Sequence, residues 1–142
     1  MEIEIFTDGG SRGNPGPAAI GVVIKEKSGK KIYNIGRYIG ISTNNDAEYK
    51  ALLEGLSYLV EHFKVKSAEK KMGLNVSCFL DSELVVKQMN GEYKVKNPNI
   101  KTLWKKIKEL ERRFSSIEYV HIPREKNSEA DYLVNQALDL AS

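Results

Sequence analysis

The sequence predicts an α/β protein with a five-stranded mixed sheet and helices on both faces. Three observations predict it. The first forty residues hold three strand-like stretches separated by turn-forming residues, as in an antiparallel meander. A long helical stretch then leads to residues 76–80, a run that is apolar but for Ser77. A strand this apolar is covered on both faces, and reaching it across a helix makes it parallel to a neighbour. Two more helical stripes, a last strand and a final helix complete the order β-β-β-α-β-α-α-β-α.

Each element has its own signal. Residues 1–6 alternate apolar and polar, and residues 20–24 and 31–39 are apolar and β-branched. Between the first two strands lie four glycines and two prolines, so residues 7–21 read as a stiffened loop shaped for close contact, with Asp8 at its mouth. Ser28-Gly29 marks a hairpin between the second and third strands. Thr43-Asn44-Asn45 offers N-cap residues. Glu48, Leu52, Gly55-Leu56, Leu59 and Phe63 then recur at helical spacing. Residues 64–73 are polar and lysine-rich, the best loop candidate.

The apolar run ends at Asp81, and residues 82–89 form a short helix stopped by Asn90-Gly91. Asn97-Pro98-Asn99 starts the next helix, whose stripe is Ile100, Leu103-Trp104, Ile107 and Leu110. Its place on that stripe makes Trp104 a core residue rather than a base-stacking platform. Residues 117–122 read as the last strand. Asn127-Ser128 caps a final helix with Leu133-Val134, Ala137-Leu138 and Ala141 inward.

With 142 residues, the chain reads as one domain, 1–142, large enough for a real core. The net charge of +3 (22 basic minus 19 acidic residues) says little about partners. No apolar run approaches the ~20 residues of a membrane span, and the acidic start lacks a signal-peptide core. The lone Cys78 excludes an internal disulfide and, inside an apolar run, reads as a buried inert thiol. These features point to a cytoplasmic protein with no membrane partner.

In an open α/β sheet, ligands gather at the carboxyl ends of the parallel strands. Asp8 and Asp81 each follow such a strand, so they are neighbours if their strands are. Glu48 falls in the first turn of the long helix and Asp131 in the first turn of the last. Each acid also fits a local role. Asp8 suits an Asp-Gly turn and Asp81 a helix cap. Glu48 stands three residues after Asn45, and Asp131 three after Ser128, as in capping boxes. The glycine-rich stretch lacks the Lys-Ser/Thr of a P-loop and does not fit the dinucleotide fingerprint.

Four motifs weigh one site against four local roles. They are Asp8-Gly9-Gly10-Ser11-x-Gly13-Asn14-Pro15-Gly16, Thr43-Asn44-Asn45-x-Ala47-Glu48, a strand ending Asp81-Ser82, and Asn127-x-x-Ala130-Asp131. Together, in this order and over nearly the whole chain, they resemble ribonuclease H of type 1. The resemblance implies the ribonuclease H fold and a metal site formed by Asp8, Glu48, Asp81 and Asp131. It implies an endonuclease that hydrolyses the RNA strand of RNA–DNA hybrids and leaves 5′-phosphate and 3′-hydroxyl ends. The implied cofactor is Mg²⁺, with Mn²⁺ as the alternative, two ions being held when substrate is bound. Clustered carboxylates repel and raise one another's pKa, which divalent cations relieve. Two ions about 4 Å apart clamp both sides of an in-line phosphodiester displacement. For substrate binding, the resemblance implies Asn14, Asn44 and the backbone from Gly9 to Ser11 at the RNA 2′-hydroxyls, and Thr43 near a DNA-strand phosphate. Thr43 to Asn45 also fit plain helix capping, Asn45 above all.

The chain departs from the family pattern in three places. No basic insert interrupts residues 91–113, although this stretch holds eight Lys or Arg against three Glu. A solvated helix face explains that bias as well as a phosphate track does. Glu83 stands where many members have an amide. The loop Pro123-Arg124-Glu125-Lys126-Asn127 lacks a histidine that many members carry. Arg124, acting by charge, is the expected stand-in, and His121 at the end of the last strand is the alternative; His62 falls on a helix surface. No separate hybrid-binding domain is read in the sequence. The chain is read as a monomeric nuclease acting on hybrid duplexes. Cleavage of double-stranded RNA by the same fold, and a non-catalytic nucleic-acid-binding module, are the competing readings.

Overall fold

The computed structural model describes residues 1–63 and 73–142, so all but Gly73 of the lysine-rich loop lies outside the described residues. Strands β1 (Glu2–Ser11), β2 (Gly16–Glu26) and β3 (Lys31–Ser42) precede helix α1 (Asn44–His62). Strand β4 (Asn75–Leu80), helices α2 (Glu83–Met89) and α3 (Pro98–Glu111), strand β5 (Ser116–His121) and helix α4 (Ser128–Ala141) follow. A short 3-10 turn at Arg124–Lys126 enters α4. The sheet order is β3-β2-β1-β4-β5. The first three strands pair antiparallel, and β4 lies parallel between β1 and β5. This is the mixed five-stranded sheet that the sequence predicts.

Alternation along β1 divides the core. Ile3 and Ile5 face α1 and join Leu52, Leu56 and Leu59 in one cluster that takes in Val85 and Met89 of α2 and Ile100 and Ile107 of α3. On the other face α4 packs on β2 and β3, with Val134 and Leu138 against Ala19. Trp104 is half-buried against the main cluster, and its indole N–H donates to the Gln88 carbonyl at 3.3 Å, so it belongs to the core. Cys78 is fully buried, which pushes its thiol pKa up. Ala141, expected inward, is exposed, because the buried stripe of α4 ends at Leu138.

The glycine-rich stretch is not a loop. β1 runs on through Ser11 and β2 starts at Gly16, paired from Ser11–Ala18 to Ile3–Glu26, so only residues 12–15 turn. The reason is helix packing. A Cβ on Gly9 would lie 2.2 Å from the Ala47 carbonyl carbon, and one on Gly21 would lie 2.2 Å from the Ala130 carbonyl oxygen. These glycines let the backbones of α1 and α4 touch the sheet. β3 likewise runs past Ile39 to Ser42, through a register shift opposite Ala18 and Ala19 with Gly40 at φ +86°.

The contacts separate two adjacent glycines. Gly9→Ala forces α1 off β1, and we expect it to cost about 2–3 kcal/mol of unfolding free energy, as backbone overpacking does. Gly10→Ala meets only the Val134 methyl at 3.6 Å and should change stability by no more than about 0.5 kcal/mol. Chemical denaturation of the two variants measures the difference.

Candidate active site

Because β1 and β4 are parallel neighbours, their carboxyl ends lie side by side, with Asp8 at one and Asp81 just past the other. α1 supplies the third acid. Thr43 caps α1 by accepting from the Asp46 N–H at 3.1 Å, and the Ser42 hydroxyl binds the Asp46 carboxylate. The helix starts at Asn44, so Glu48 sits in its second turn rather than its first. Nor does Glu48 reach back to cap: its Oε1 accepts from the Gly9 N–H at 2.9 Å, an approach that the bare Gly9 permits. One carboxylate oxygen from each of Asp8, Glu48 and Asp81 lies within 4.8 Å of the others.

Asp131 borders this trio from the first turn of α4 and is not part of it. Its charge is felt by both Asp8 and Asp81, and Arg124 Nη2 stands 3.5 Å from its Oδ1. All four acids and Arg124 line one open cleft of about 440 Å³. Arg124 itself is well exposed, with 78% of its side chain accessible. His121 is exposed at its strand end, so it is not a packing histidine, and His62 is exposed beside Tyr58. Glu83, also exposed, pairs with Lys87 at 2.8 Å.

Asp8 and Glu48 are each only 7% exposed. Burial pushes Asp8 up to about 7, and the charges of Asp81 and Asp131 add to the shift. Glu48 is raised well above the usual carboxylate range, by burial first and the Asp8 charge second. Burial also raises Asp81, opposed by the Asn127 side chain and the Arg124 charge. Glu48 Oε2 is buried with no hydrogen-bond partner. Hard oxygen donors, mutual repulsion and an orphaned carboxylate oxygen fit a divalent cation such as Mg²⁺.

At the rim, three residues that the sequence marks for substrate contact bind one another. Asn44 Oδ1 accepts from the Ser11 N–H at 2.8 Å and from its hydroxyl at 3.1 Å. Asn14 Oδ1 accepts from the Asn44 N–H at 3.0 Å. Backbone donors thus fix which amide atom is the oxygen, and both Nδ2 groups are left without a partner among the described residues. Gly9 turns inward, and its N–H is occupied by Glu48. Sequence reasoning assigned nothing to Arg12, which lines the cleft and pairs with Asp139 at 2.6 Å, and gave Asn127, the first residue of the fourth motif, no role beyond capping the helix. Its amide instead donates to the Thr7 carbonyl at 2.8 Å.

A mixed sheet with this strand order, and acids gathered at the carboxyl ends of its two central strands, defines the ribonuclease H-like class of α/β proteins. A "Reverse transcriptase-like" family model matches residues 6–137. A bifunctional protein of Mycobacterium tuberculosis is 38% identical over all of this chain, which spans 37% of that relative's length. The crystal structure of LC11-RNase H1 in complex with RNA/DNA hybrid superposes with a TM-score of 0.88 at 47% identity, covering 98% of both chains. RNase H1 of Halobacterium salinarum superposes at 0.85, with 35% identity and 98% of both chains covered. The chain belongs to the type 1 ribonuclease H family.

The raised carboxylate has a consequence for stability. Asp8 rises from an ordinary 3.8 to about 7, so between these values the folded protein holds a proton that the unfolded chain has released. Metal-free stability therefore falls as pH rises from about 4 to 7, and the full penalty persists above 7. Asp8→Asn removes it. In EDTA at pH 8 we expect the variant to melt about 3–10 °C above the wild type, a gap that closes toward pH 4. Thermal melts across that range test the sign.

Proposed function

We propose that this protein is a metal-dependent endonuclease that cuts the RNA strand of RNA–DNA hybrids, with residues 1–142 as one catalytic unit. The observation that carries this reading is the acidic trio of buried Asp8 and Glu48 with half-buried Asp81, gathered where two parallel strands end, in a chain 47% identical to a protein crystallised on an RNA/DNA hybrid. Asp8, Glu48 and Asp81, with Asp131 beside them, would hold two divalent cations, Mg²⁺ or Mn²⁺. Bound there, such ions lower the pKa of water and neutralise charge at a phosphodiester. The water oxygen bonds to phosphorus, the bond from phosphorus to the 3′ oxygen breaks, and that oxygen takes a proton. The ends are then 5′-phosphate and 3′-hydroxyl.

The chain's own residues orient and select. Asp8 and Glu48, fixed by their buried positions, hold the acid cluster in place. The free Nδ2 donors of Asn14 and Asn44, held by the Ser11 network, offer hydrogen bonds to 2′-hydroxyls, the groups that distinguish RNA from DNA. Thr43, exposed and capping α1, stands at the rim near Asn14 and Asn44, suited to a DNA-strand phosphate. Arg124 acts by charge, since a guanidinium keeps its proton and forks onto phosphate oxygens.

One sequence prepared as RNA–DNA, RNA–RNA, DNA–DNA and single-stranded RNA, each with Mg²⁺ and with Mn²⁺, tests the function. Cleavage of the RNA in the hybrid alone is expected; equal cleavage of the RNA duplex would move the specificity, and full activity in EDTA would overturn the metal role. In the same assay Asp81→Asn should be inactive, and Arg124→Ala should lose about ten- to a thousand-fold, as when one transition-state donor is removed.

Asn44 can be tested separately. Asn44→Asp keeps the acceptor for Ser11 and loses the donor, so the fold should hold while kcat/KM falls about ten- to a hundred-fold, the cost of one polar contact. A wild-type rate would leave Asn44 with a structural role only.

A further inference from the structure

Asn127 stands immediately before α4, yet its side chain makes no cap bond. It is only 1% exposed, and an amide so deeply buried is costly unless it is used. Its Nδ2 donates to the carbonyl of Thr7, 120 residues away, at 2.8 Å. Thr7 pairs with Leu80 on the last rung of the β1–β4 ladder, next to Asp8 and Asp81. The same amide faces the Asp81 carboxylate, whose ionised form it favours. On the helix side, the Asn127 carbonyl accepts from the Asp131 N–H at 3.1 Å, in the first turn of α4. One residue therefore touches all three elements that carry Asp8, Asp81 and Asp131.

We propose that Asn127 is a positioning residue: it clamps the ends of β1 and β4 to the start of α4 and so sets the spacing of Asp8, Asp81 and Asp131 that a divalent cation requires. This inference rests on the metal-dependent reading above. Three facts favour it over a purely structural role. The bond reaches a carbonyl where the parallel ladder ends, one residue before Asp8. The free energy of capping α4 is forgone to make it. Finally, α4 is already held on the sheet by Ala130 against Gly21 and by Val134 and Leu138 against Ala19, so the clamp adds precision at the acids rather than attachment of the helix.

Mn²⁺ binding to the hybrid-free protein, followed by electron paramagnetic resonance, tests the clamp alongside steady-state kinetics on a hybrid. Asn127→Ala removes the amide; Asn127→Gln keeps a donor but displaces it by one methylene and guards against loss of the fold. Ile107→Ala, in the core of α3, is the control for destabilisation alone. Both Asn127 variants should bind Mn²⁺ about tenfold more weakly and lose about ten- to a hundred-fold in kcat, as removal of a partner behind metal ligands does. KM for the hybrid should not change. Ile107→Ala should lower the melting temperature and leave Mn²⁺ affinity at the wild-type value. If the Asn127 variants match Ile107→Ala in both Mn²⁺ affinity and kcat, the clamp is overturned and the functional reading stands. A wild-type protein that binds no Mn²⁺ without the hybrid overturns the clamp, and full activity in EDTA overturns the functional reading as well.

Discussion

Repulsion among three clustered carboxylates, two of them buried, is the constraint around which this molecule is arranged. Asp8, Glu48 and Asp81 are held within a few ångströms of one another at the floor of the cleft. Left alone, such groups would separate or take up protons. They stay because their backbones have no freedom to retreat. Asp8 lies on the central strand, Asp81 follows its parallel neighbour, and Glu48 is anchored by the Gly9 N–H. The tight seat of α1 on Gly9 is thus part of the same problem. A strong sheet holds a weak arrangement of charge in place.

Much of this was legible in the sequence, and the exceptions share a cause. The apolar residues before Asp81 led to the parallel placement of Asp81 beside Asp8, but β4 alternates buried and half-exposed residues, so it is fully covered on one face rather than on both as expected. The stripes of α1 and α3 were equally plain. Gly9 and Gly21 misled because a glycine that admits a helix backbone is written like a glycine in a loop; only the partner across the contact tells them apart. Glu48 at three residues from Asn45 imitates a capping box, whereas the cap is two residues earlier, at Thr43 with Asp46. Asn127 sits where a cap belongs and spends its amide on a strand 120 residues away. Local patterns cannot report long-range partners.

The basic residues sit apart from the acids. α3 and the segment before it carry the lysine excess, on the face of the sheet covered by α1, and Lys108 is drawn inward to the Met89 carbonyl and the rings of Trp104 and Tyr119. Part of that excess is therefore structural. Two cations line the acidic cleft: Arg124, exposed and beside Asp131, and Arg12, paired with Asp139.

The strand order has a consequence in the growing chain. β1 is the central strand, yet one of its two neighbours, β4, begins only at Asn75, and Asp131 comes later still. During synthesis the ribbon of β1, β2 and β3 and then α1 emerge first, and for that time one edge of β1 is unpaired and apolar. Long-range closure of this kind is slow and exposes strand edges. Asp8 and Glu48 leave the ribosome early but have nothing to face until β4 docks, and the cleft gains its last wall only with α4. A ribosome-bound fragment of this chain is thus inert by construction, and the step most open to mispairing is the capture of β4.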